Sequence, residues 1–583
     1  MAADEPESPA WQHGGIKVVV ALLDAGVAAA ESAAGALWNL SNATNEDAIR
    51  EAGGIPPLVA LLGAADSAAA GEAAGALMSL SVNVTNMDAI REAGGIAPLV
   101  ALLGAGADSE AAGNAAGALM NLAVNAINKD VIREAGGIAP LVALLGAGAD
   151  SEAAGNAAGA LMNLAVNAIN KDVIREAGGI APLVALLGAG ADSEATRYSA
   201  GVLMNLSVNA TNEDAIREAG GIAPLVVLLG AGADSEAAGN AAGALMNLAD
   251  NSTNKDAIRE AGGIAPLVAL LGAGADSEAA GNAAGALMNL AVNAINKDVI
   301  REAGGIAPLV ALLGAGADSE AAGNAAGALM NLADNSTNKD AIREAGGIAP
   351  LVALLGAGAD SEAAGNAAGA LMNLADNATN EDAILEGVAC AGVSAAFHTR
   401  LHRKLERIST SRLIAAEAGD NVPALERAIR HGNALSLPAD TLRRASERLA
   451  EINGEAALQA RRESLGLGAL PLPNEFVCPI TCEKMKDPVV ASDGNSYERS
   501  AIATVLATRH PRSPLTREPL EQTLFANRNL KKRIEQHEKE VLNAAEQAVA
   551  VHVAEVHSKR GAEAGASSSS EPPAKRTRGR GQL

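Results

Sequence analysis

Residues 128–167, NKDVIREAGGIAPLVALLGAGADSEAAGNAAGALMNLAVN, decide the fold because they are one copy of a unit that recurs over most of the first 384 residues. The motif REAGG begins at Arg50 and recurs seven more times, and from Arg91 onward its copies are 42 residues apart. With a degenerate copy at Gly14-Gly15-Ile16, the chain holds nine units. A tandem period in the forties is typical of a helical solenoid, whose units bury their apolar faces only against one another.

One unit contains the signals for three short helices. Asn128 is predicted to cap the first helix, which a double glycine ends. The second helix, Ile138 to Leu145, has a proline in its first turn. Asp150 or Ser151 is predicted to cap the third helix, which runs to about Val166. This unit resembles the armadillo repeat over roughly residues 14–384, so the resemblance implies a right-handed helical solenoid.

Composition and charge narrow the classes of function. Residues 1–384 carry 15 Lys and Arg against 44 Asp and Glu, whereas residues 385–583 carry 29 against 24. The acidic first part argues against direct nucleic-acid binding by the solenoid and suits a basic partner, although it also suits solubility alone. Three cysteines, Cys390, Cys478 and Cys482, indicate a reducing compartment rather than a disulfide framework. No apolar run approaches the length of a membrane span.

The third helix of an armadillo repeat lines the concave groove, where family members bind extended peptides through an asparagine amide. One position of this helix is asparagine in almost every unit, so the resemblance implies a target-binding groove. Tyr198 replaces a different asparagine in one unit and is a second candidate contact. The alternative is that each amide bridges neighbouring helices. The candidate groove residues are Asn121, Asn163, Tyr198, Asn205, Asn247, Asn289, Asn331 and Asn373.

The chain departs from one group of armadillo proteins at a specific place. Nuclear-import adaptors carry a tryptophan four residues before this asparagine, which forms a pocket for lysine. Gly117 and Gly159 stand at that place here. The sequence therefore disfavours a nuclear-import adaptor.

A second resemblance begins at Leu472 and extends for about 65 residues. It is to the U-box, and the matching pieces are Cys478-Pro479-Ile480, Asp487-Pro488-Val489, Asp493-Gly494, Tyr497-Glu498-Arg499, Ser513-Pro514-Leu515-Thr516-Arg517 and Asn527. The resemblance implies a small α+β domain that recruits a ubiquitin-conjugating enzyme carrying ubiquitin. A short strand from Pro488, a turn at Gly494, a helix from Ser500 to Ala507 and a final helix beginning at Leu530 are predicted within it.

The U-box resemblance assigns roles to particular residues. Ile480 and Pro514 match the apolar contacts of the first and second loops to the conjugating enzyme. Arg517 matches a position that hydrogen-bonds across the conjugating enzyme and ubiquitin. Cys482 and Val505 are also expected at this interface, but both are smaller than the usual residues. Ala526 replaces the usual proline before Asn527.

Zinc binding and cysteine catalysis are both disfavoured. A RING finger has the same shape as a U-box but is built around two zinc ions. Two tetrahedral zinc sites need about eight ligands, and the region from Leu472 to Leu542 offers only two cysteines and two histidines. Hydrogen bonds and ion pairs are predicted to replace metal. No Cys–His–acid set is apparent, so we expect no catalytic nucleophile, no metal and no cofactor in this chain. The conjugating enzyme would supply the thioester, and the chain would act by proximity.

The remaining segments complete the predicted organisation. The domains are an N-terminal tail at 1–13, the armadillo array at 14–385, a helical connector at 386–470, the U-box at 471–540 and a helix with a basic tail at 541–583. The connector is predicted to be a helical hairpin that serves as a spacer or as an end-cap of the array. Lys575, Arg576 and Arg578 form a candidate nuclear-localisation signal, so nucleus and cytoplasm are the expected locations.

Two functions follow from the sequence. The first is a ubiquitin ligase whose array binds a protein target, with an extended or basic segment as one option. The second is an armadillo scaffold with a degenerate U-box that no longer transfers ubiquitin. Neither reading fixes the target, the conjugating enzyme or the linkage type, and homodimerisation is left open.

Overall fold

The computed structural model describes residues 9–63, 68–357, 361–391, 399–464, 472–508 and 510–565. The described chain divides into two compact units. One unit contains the residues up to Leu413 together with Ala428–Pro438, and the other contains Ile414–Arg427 and the residues from Ala439 onward. Among the helices of these ranges, none combines the length and the apolar character that crossing a membrane requires.

The first of the two compact units is an array of repeats, each built of helices, as the sequence predicts. Its first helices are Glu46–Glu51, Val84–Glu92, Ala126–Glu134, Ala168–Glu176, Ala210–Glu218, Ser252–Glu260, Ala294–Glu302, Ser336–Glu344 and Ala378–Ala391. Its second helices are Pro9–Leu22, Ile55–Leu61, Ile96–Leu102, Ile138–Leu144, Ile180–Leu186, Ile222–Leu228, Ile264–Leu270, Ile306–Leu312 and Ile348–Leu354.

From the third repeat onward, a short 3-10 turn follows the second helix of each repeat. These turns are Leu103–Ala105, Leu145–Ala147, Leu187–Ala189, Leu229–Ala231, Leu271–Ala273, Leu313–Ala315 and Leu355–Ala357. The third helices are Val27–Leu40, Ala68–Leu80, Glu110–Leu122, Glu152–Leu164, Glu194–Leu206, Glu236–Leu248, Glu278–Leu290, Glu320–Leu332 and Glu362–Leu374. Each third helix packs on the third helix of the next unit, and leucines such as Leu161 and Leu164 are buried in one continuous core.

The start of the first helix differs from the prediction. Asn125, not Asn128, is the N-cap, and its Oδ1 accepts a hydrogen bond from the N–H of Ile127 at 2.9 Å. Asn128 lies inside the helix, is fully buried and donates its Nδ2 to the carbonyl of Leu122 at 3.1 Å. The prediction of Asn128 was wrong because asparagine is a favourable N-cap residue at either position, so the residue type alone did not distinguish Asn125 from Asn128. Ser151, not Asp150, caps the third helix.

The double glycine has the predicted geometry. Gly136 has φ of 75°, which side chains other than glycine rarely adopt. A Cβ atom on Gly137 would lie 2.9 Å from Cγ2 of Ile132, so this position also requires close packing. The pair therefore ends the first helix and lets the second helix begin directly beside it.

The connector contains three helices, one more than the predicted hairpin. They are Thr399–Glu417, Val422–Ala434 and Ala439–Ser464. Leu401, Leu405 and Leu435 join the core of the array. The first part of the connector thus closes the end of the array, in agreement with the end-cap interpretation. The predicted boundary at 385 falls inside the helix Ala378–Ala391, and the boundary at 470 lies outside the described residues.

Ion pairs reinforce this end of the array. Lys404 Nζ donates to the carbonyl of Met372 at 2.7 Å, and Arg412 pairs with Glu381 at 2.7 Å. Glu386 Oε2 lies 2.8 Å from Nε2 of the buried His431 and 2.7 Å from Arg430. Hydrogen bonds from His431 and Arg430 lower the pKa of Glu386 to about 2.

The second unit carries a small sheet of three antiparallel strands in the order β2-β1-β3. The strands are β1 (Pro488–Val490), β2 (Ser496–Glu498) and β3 (Phe525–Ala526), and a 3-10 turn at Asn474–Phe476 and a helix at Arg499–Leu506 complete the domain. The last helix runs without a break from Arg528 to Gly565. The sequence predicted two shorter helices here, but no glycine or proline separates them, so they form one helix that spans the predicted boundary at 540.

Candidate functional site

The three-stranded sheet positions the first loop of the C-terminal domain. Val489 pairs with Tyr497 on one side and with Ala526 on the other. A bridge between Val477 and Lys484 closes the first loop, residues 478–483. Gly494, with φ of 79°, makes the turn between β1 and β2 as predicted. The first loop therefore closes at Lys484, four residues before β1 begins.

Cys478 organises the first loop from within the core. Its side chain is fully buried, and its Sγ accepts the N–H of Glu498 at 3.2 Å. Its own N–H donates to the carbonyl of Glu483 at 2.8 Å. Burial raises the pKa of the thiol, but the N–H groups of Glu498, Thr481 and Ile480 outweigh that effect and lower it. The role is structural, because a fully buried sulfur cannot reach a substrate.

A hydrogen-bond network holds the second loop, residues 511–519. Asp493 Oδ2 accepts hydrogen bonds from the hydroxyl of Tyr497 at 2.6 Å and from Ser513 Oγ at 2.5 Å. Ser513 Oγ in turn accepts the N–H of Leu515 at 3.1 Å and that of Thr516 at 2.9 Å. A bridge between residues 512 and 519 closes the loop. The loop is thus fixed by side-chain oxygens where a RING finger would use metal.

This hydrogen-bond network shifts the pKa values of Asp493 and Tyr497. Burial alone would raise the pKa of Asp493, but hydrogen bonds from Ser513 and Tyr497 lower it below its ordinary value. Burial and the bond to Asp493 together raise the pKa of Tyr497 to about 12. Asp493 therefore stays ionised and Tyr497 stays protonated near neutral pH. The network was not predicted from the sequence, although Asp493, Tyr497 and Ser513 all lie in the matched motifs.

The predicted contact residues lie on the surface around these loops. Ile480 and Val505 are half-buried and pack on the same core of the domain. Cys482, Pro514 and Arg517 are exposed. Arg517 has φ of 63° and Cys482 has φ of 57°, so both occupy the left-handed region. Within the described residues, the Arg517 side chain has no hydrogen bond or ion pair.

Leu515 is an exposed apolar residue that the sequence analysis missed. It follows Pro514 and is 54% exposed. Its signal was its place in the Ser513–Arg517 motif, but leucines are more often buried than exposed. Two exposed residues, Pro514 and Leu515, therefore form the tip of the second loop.

Charged residues supply the polar contacts that the sequence left unassigned. Glu498 Oε2 accepts the N–H of Lys486 at 2.7 Å and that of Asp487 at 3.0 Å. Arg499 Nε pairs with Asp487 Oδ2 at 2.6 Å, and Lys484 pairs with Glu538 at 2.8 Å. In the described ranges, no group of three or more His, Cys, Asp and Glu side chains is arranged to hold a metal ion.

The asparagines predicted to line the groove bridge neighbouring repeats. In each case Nδ2 donates to a methionine carbonyl in the preceding third helix, as from Asn163 to Met120 at 2.9 Å. The same bond is made by Asn121, Asn205, Asn247, Asn289, Asn331 and Asn373, at 2.9–3.2 Å. Each bond to a methionine carbonyl uses one of the two N–H groups of the amide, so the bridging alternative holds for these residues without excluding a peptide contact. Peptide binding through Oδ1 stays a prediction.

A second series of asparagines makes similar bridges, and Tyr198 interrupts it. Asn156 Nδ2 donates to the carbonyl of Gly113 at 3.1 Å, and Asn240 donates to that of Arg197 at 3.2 Å. Tyr198 instead carries the guanidinium of Arg197 at 4.4 Å from its ring centre. Arg197 also pairs with Glu236 at 2.7 Å and with Glu194 at 3.1 Å. This unit alone among its neighbours presents an aromatic ring and a cation together.

Methionines fill the space that the tryptophans of import adaptors would need. A Cβ atom on Gly159 would lie 2.3 Å from Sδ of Met120 and 3.3 Å from Cδ2 of Tyr198. Gly117 has the same relation to Met78. The tryptophan pockets are therefore excluded by packing as well as by sequence. The localisation residues Lys575, Arg576 and Arg578 lie outside the described residues.

Comparison with known proteins identifies both parts of the chain. The family model for the U-box domain matches residues 472–541. The model for the armadillo/beta-catenin-like repeat matches residues 42–82, 125–166, 209–250, 251–292, 293–334 and 335–376. The array also resembles the crystal structure of an engineered protein, with 35% identity and a TM-score of 0.58 over 72% of this chain and 98% of that one.

The curated relatives match the chain over short segments. The WD repeat, SAM and U-box domain-containing protein 1 of Danio rerio is 57% identical over 60 residues, which is 10% of this chain and 12% of the relative. The U-box domain-containing protein 12 of Oryza sativa subsp. japonica is 41% identical over 73 residues, 12% of each chain. The chain thus spans about an eighth of the length of these relatives. Taken with the repeat matches, these likenesses show that the chain belongs to the proteins that combine armadillo repeats with a U-box domain.

Proposed function

We propose that this chain is a ubiquitin ligase that recruits a ubiquitin-conjugating enzyme through its U-box. The observation that carries the proposal is the pair of fixed loops with exposed tips. Cys478 holds the loop that bears Ile480, and Ser513 holds the loop that bears Pro514 and Arg517. Pre-organised loops lose little conformational freedom on binding, which favours recognition of a partner protein.

In the proposed reaction the chain supplies position rather than a nucleophile. The Nζ of a target lysine attacks the thioester carbonyl on the conjugating enzyme, the C–S bond breaks and the thiolate leaves. An isopeptide bond forms, and the amine proton passes to solvent or to a base. Arg517, whose side chain is exposed, would hold the ubiquitin tail against the conjugating enzyme. Correct placement of two reactants supplies a large part of such a rate enhancement.

The armadillo array is proposed as the target receptor. Its acidic character favours a basic segment, and Tyr198 with Arg197 gives one unit a distinct contact. Because the neighbouring units are nearly identical, this contact would fix the register of an extended target along the groove. A ring with a cation above it also suits an interaction hot spot.

Autoubiquitination tests the ligase proposal. Full-length protein would be combined with activating enzyme, ubiquitin, ATP and a panel of conjugating enzymes. We expect ladders with at least one conjugating enzyme, and we expect Ile480→Ala to abolish them. Val227→Ala is a matched control because Val227 is an exposed apolar residue in the array, 75% exposed. Loss of ladders in both variants would not support a specific role of Ile480.

The alternative function is a scaffold whose U-box does not transfer ubiquitin. Val505 and Cys482 favour it, because both present less apolar surface than larger residues would. A folded protein that gives no ladder with any conjugating enzyme, while still binding a partner through the array, would favour this scaffold.

Nuclear entry through Lys575, Arg576 and Arg578 is also proposed, from their basic character alone. A fluorescent fusion should be nuclear, and alanine at all three positions should leave it in the cytoplasm. Equal nuclear signal from both fusions would reject this role.

A further inference from the structure

The junctions between repeats, where a third helix leads into the next first helix, occur in two versions. Three of them read AVNAI, at 123–127, 165–169 and 291–295. Three others carry aspartate and threonine in place of valine and isoleucine, at 249–253, 333–337 and 375–379. In the apolar version both side chains face solvent, since Val166 is 64% exposed and Ile169 is 59% exposed.

The apolar version is concentrated in four consecutive junctions. Residues 81–85 and 207–211, SVNVT and SVNAT, flank two of the AVNAI junctions. Seven exposed side chains result, and we name them the edge strip: Val82, Val84, Val124, Ile127, Val166, Ile169 and Val208, each 57–67% exposed. Packed helices lie about 8–10 Å apart, so successive junctions are close neighbours. Isolated exposed valines are ordinary, but contiguous apolar patches mark interaction sites.

Lysines beside the junctions indicate the charge of a partner that would bind the edge strip. In two of the three polar junctions a lysine of the preceding repeat pairs with the aspartate, as Lys297 does with Asp334 at 2.8 Å. Lys339 pairs with Asp376 at 3.5 Å in the same way. The equivalent lysines of the edge strip, Lys129 and Lys171, have valine in place of that aspartate.

These two lysines consequently lack a carboxylate. Lys129 Nζ donates to the carbonyl of Val124 at 3.1 Å. Neither it nor Lys171 makes an ion pair within the described residues. Where an aspartate is present, the equivalent lysine binds it, as Lys297 and Lys339 do. Lys129 and Lys171 have no such aspartate and lie beside the exposed apolar side chains of the edge strip.

We propose that the edge strip binds an amphipathic helix of a partner protein. Its apolar side chains would cover the valines and isoleucines, and its Asp or Glu side chains would pair with Lys129 and Lys171. Four junctions span about 24–30 Å, which corresponds to a helix of roughly 16–20 residues. Each buried apolar side chain and each new ion pair would stabilise the complex.

Four acidic residues of these repeats are either paired or distant from the two lysines. Asp130 and Asp172, which follow Lys129 and Lys171 in the sequence, pair with Arg133 at 2.5 Å and with Arg175 at 3.6 Å. Asp150 and Glu152 lie at the start of a third helix that ends at Leu164, next to the edge strip. A helix of 13 residues is about 20 Å long. That distance exceeds twice the Debye length of about 8 Å at physiological ionic strength, so the repulsion is largely screened. The edge strip lies just beyond the C-terminal ends of the third helices that carry the groove asparagines, since the Val124 N–H donates to the carbonyl of Asn121 at 3.2 Å. Binding to it does not require ubiquitin transfer.

Binding of synthetic peptides to the full-length chain tests the proposal. The probe is a fluorescent 18-residue helical peptide with leucines on one face and glutamates on both flanks, and a second peptide carries lysines in place of the glutamates. Fluorescence anisotropy, without conjugating enzyme, gives the two dissociation constants. We expect the glutamate peptide to bind roughly tenfold more tightly or better, and Lys129→Gln with Lys171→Gln to remove the preference.

Two aspartate variants separate the edge strip from general stickiness. Val166→Asp should weaken the glutamate peptide roughly tenfold. Val292→Asp is the matched control, because it lies in an identical AVNAI sequence between two polar junctions. Both sites are exposed, so both variants should fold, which circular dichroism would check. Equal weakening by the two variants, equal affinity for the two peptides, or no binding to the unaltered chain would each overturn the proposal.

Discussion

Met204 lies so close to Gly243 of the next repeat that a Cβ atom on this glycine would be 2.5 Å from Sδ and 3.0 Å from Cγ. The relation recurs along the array between Met78 and Gly117, Met120 and Gly159, Met162 and Gly201, Met246 and Gly285, Met288 and Gly327, and Met330 and Gly369. Glycine inside a helix costs about 1 kcal/mol relative to alanine. The close packing of methionine explains why this cost is accepted in these seven repeats.

Two glycines of one helix should therefore respond in opposite ways to alanine. Gly243→Ala should lower the free energy of unfolding by about 1–2 kcal/mol, because overpacking exceeds the gain in helix propensity. Gly239→Ala should raise it by up to about 1 kcal/mol, since its Cβ would meet Ala279 at an ordinary 3.8 Å. The midpoint of urea unfolding measures both changes. If the two variants shift it in the same direction, methionine packing does not explain the glycine.

The repeat was predictable from the sequence, whereas the roles of its asparagines were not. The 42-residue period and the double glycine indicate a solenoid directly. Asn125 and Asn128 are equally good caps on paper, and only the position of Leu122 in the folded repeat assigns the cap to Asn125. Asn163 bridges to Met120 because two third helices stack. Bonds between repeats depend on the stacking geometry, which the sequence of one unit does not contain.

The network around Asp493 predicts a local loss of stability when one hydroxyl is removed. Tyr497→Phe deletes the bond to Asp493 at 2.6 Å inside the core. It should lower the unfolding free energy of the C-terminal domain by about 1–3 kcal/mol. Tyr198→Phe makes the same chemical change in the array, where no hydrogen bond of the hydroxyl is seen among the described residues. Calorimetry should show a shift for the first variant alone; similar shifts for both would contradict the network.

The same network predicts a pH dependence. Because hydrogen bonds lower the pKa of Asp493 in the folded domain, its ionised form stabilises the fold at neutral pH. This contribution is present above the ordinary pKa and is lost as pH falls through the lowered value. Ser513→Ala removes one donor and should reduce the change in melting temperature between pH 7 and acid, to a degree that calorimetry at several pH values would measure. An unchanged pH dependence in this variant would count against the assignment.

Glu386 predicts acid sensitivity at the end of the array. Hydrogen bonds from His431 and Arg430 hold its folded pKa at about 2, below the ordinary value of 4.5. Its stabilising effect is therefore complete above about pH 4.5 and is lost as pH falls toward 2. Glu386→Gln should destabilise the array at pH 7 and have less effect near pH 2. An equal effect at both pH values, measured by thermal unfolding, would mean that ionisation does not matter there.

The candidate U-box site was only partly predictable. Ile480, Pro514 and Arg517 could be named from motif positions, and the structure places all three at least partly on the surface. Leu515 was missed because composition alone favours burial of leucine. Two helices were predicted where the structure has the single helix Arg528–Gly565, although no glycine or proline lies between Ile534 and Asn543 to separate them.

Discharge of ubiquitin from a preloaded conjugating enzyme to free lysine tests the central claim most directly. The full-length chain should accelerate this single-turnover reaction. Arg517→Ala should slow it roughly tenfold or more while leaving affinity for the conjugating enzyme within about twofold, because the arginine acts on the thioester pose. Arg528→Ala is the control, because Arg528 is an exposed arginine of the same compact unit that lies outside the two loops. If folded wild-type protein does not accelerate discharge with any conjugating enzyme of the panel, the ligase account is contradicted.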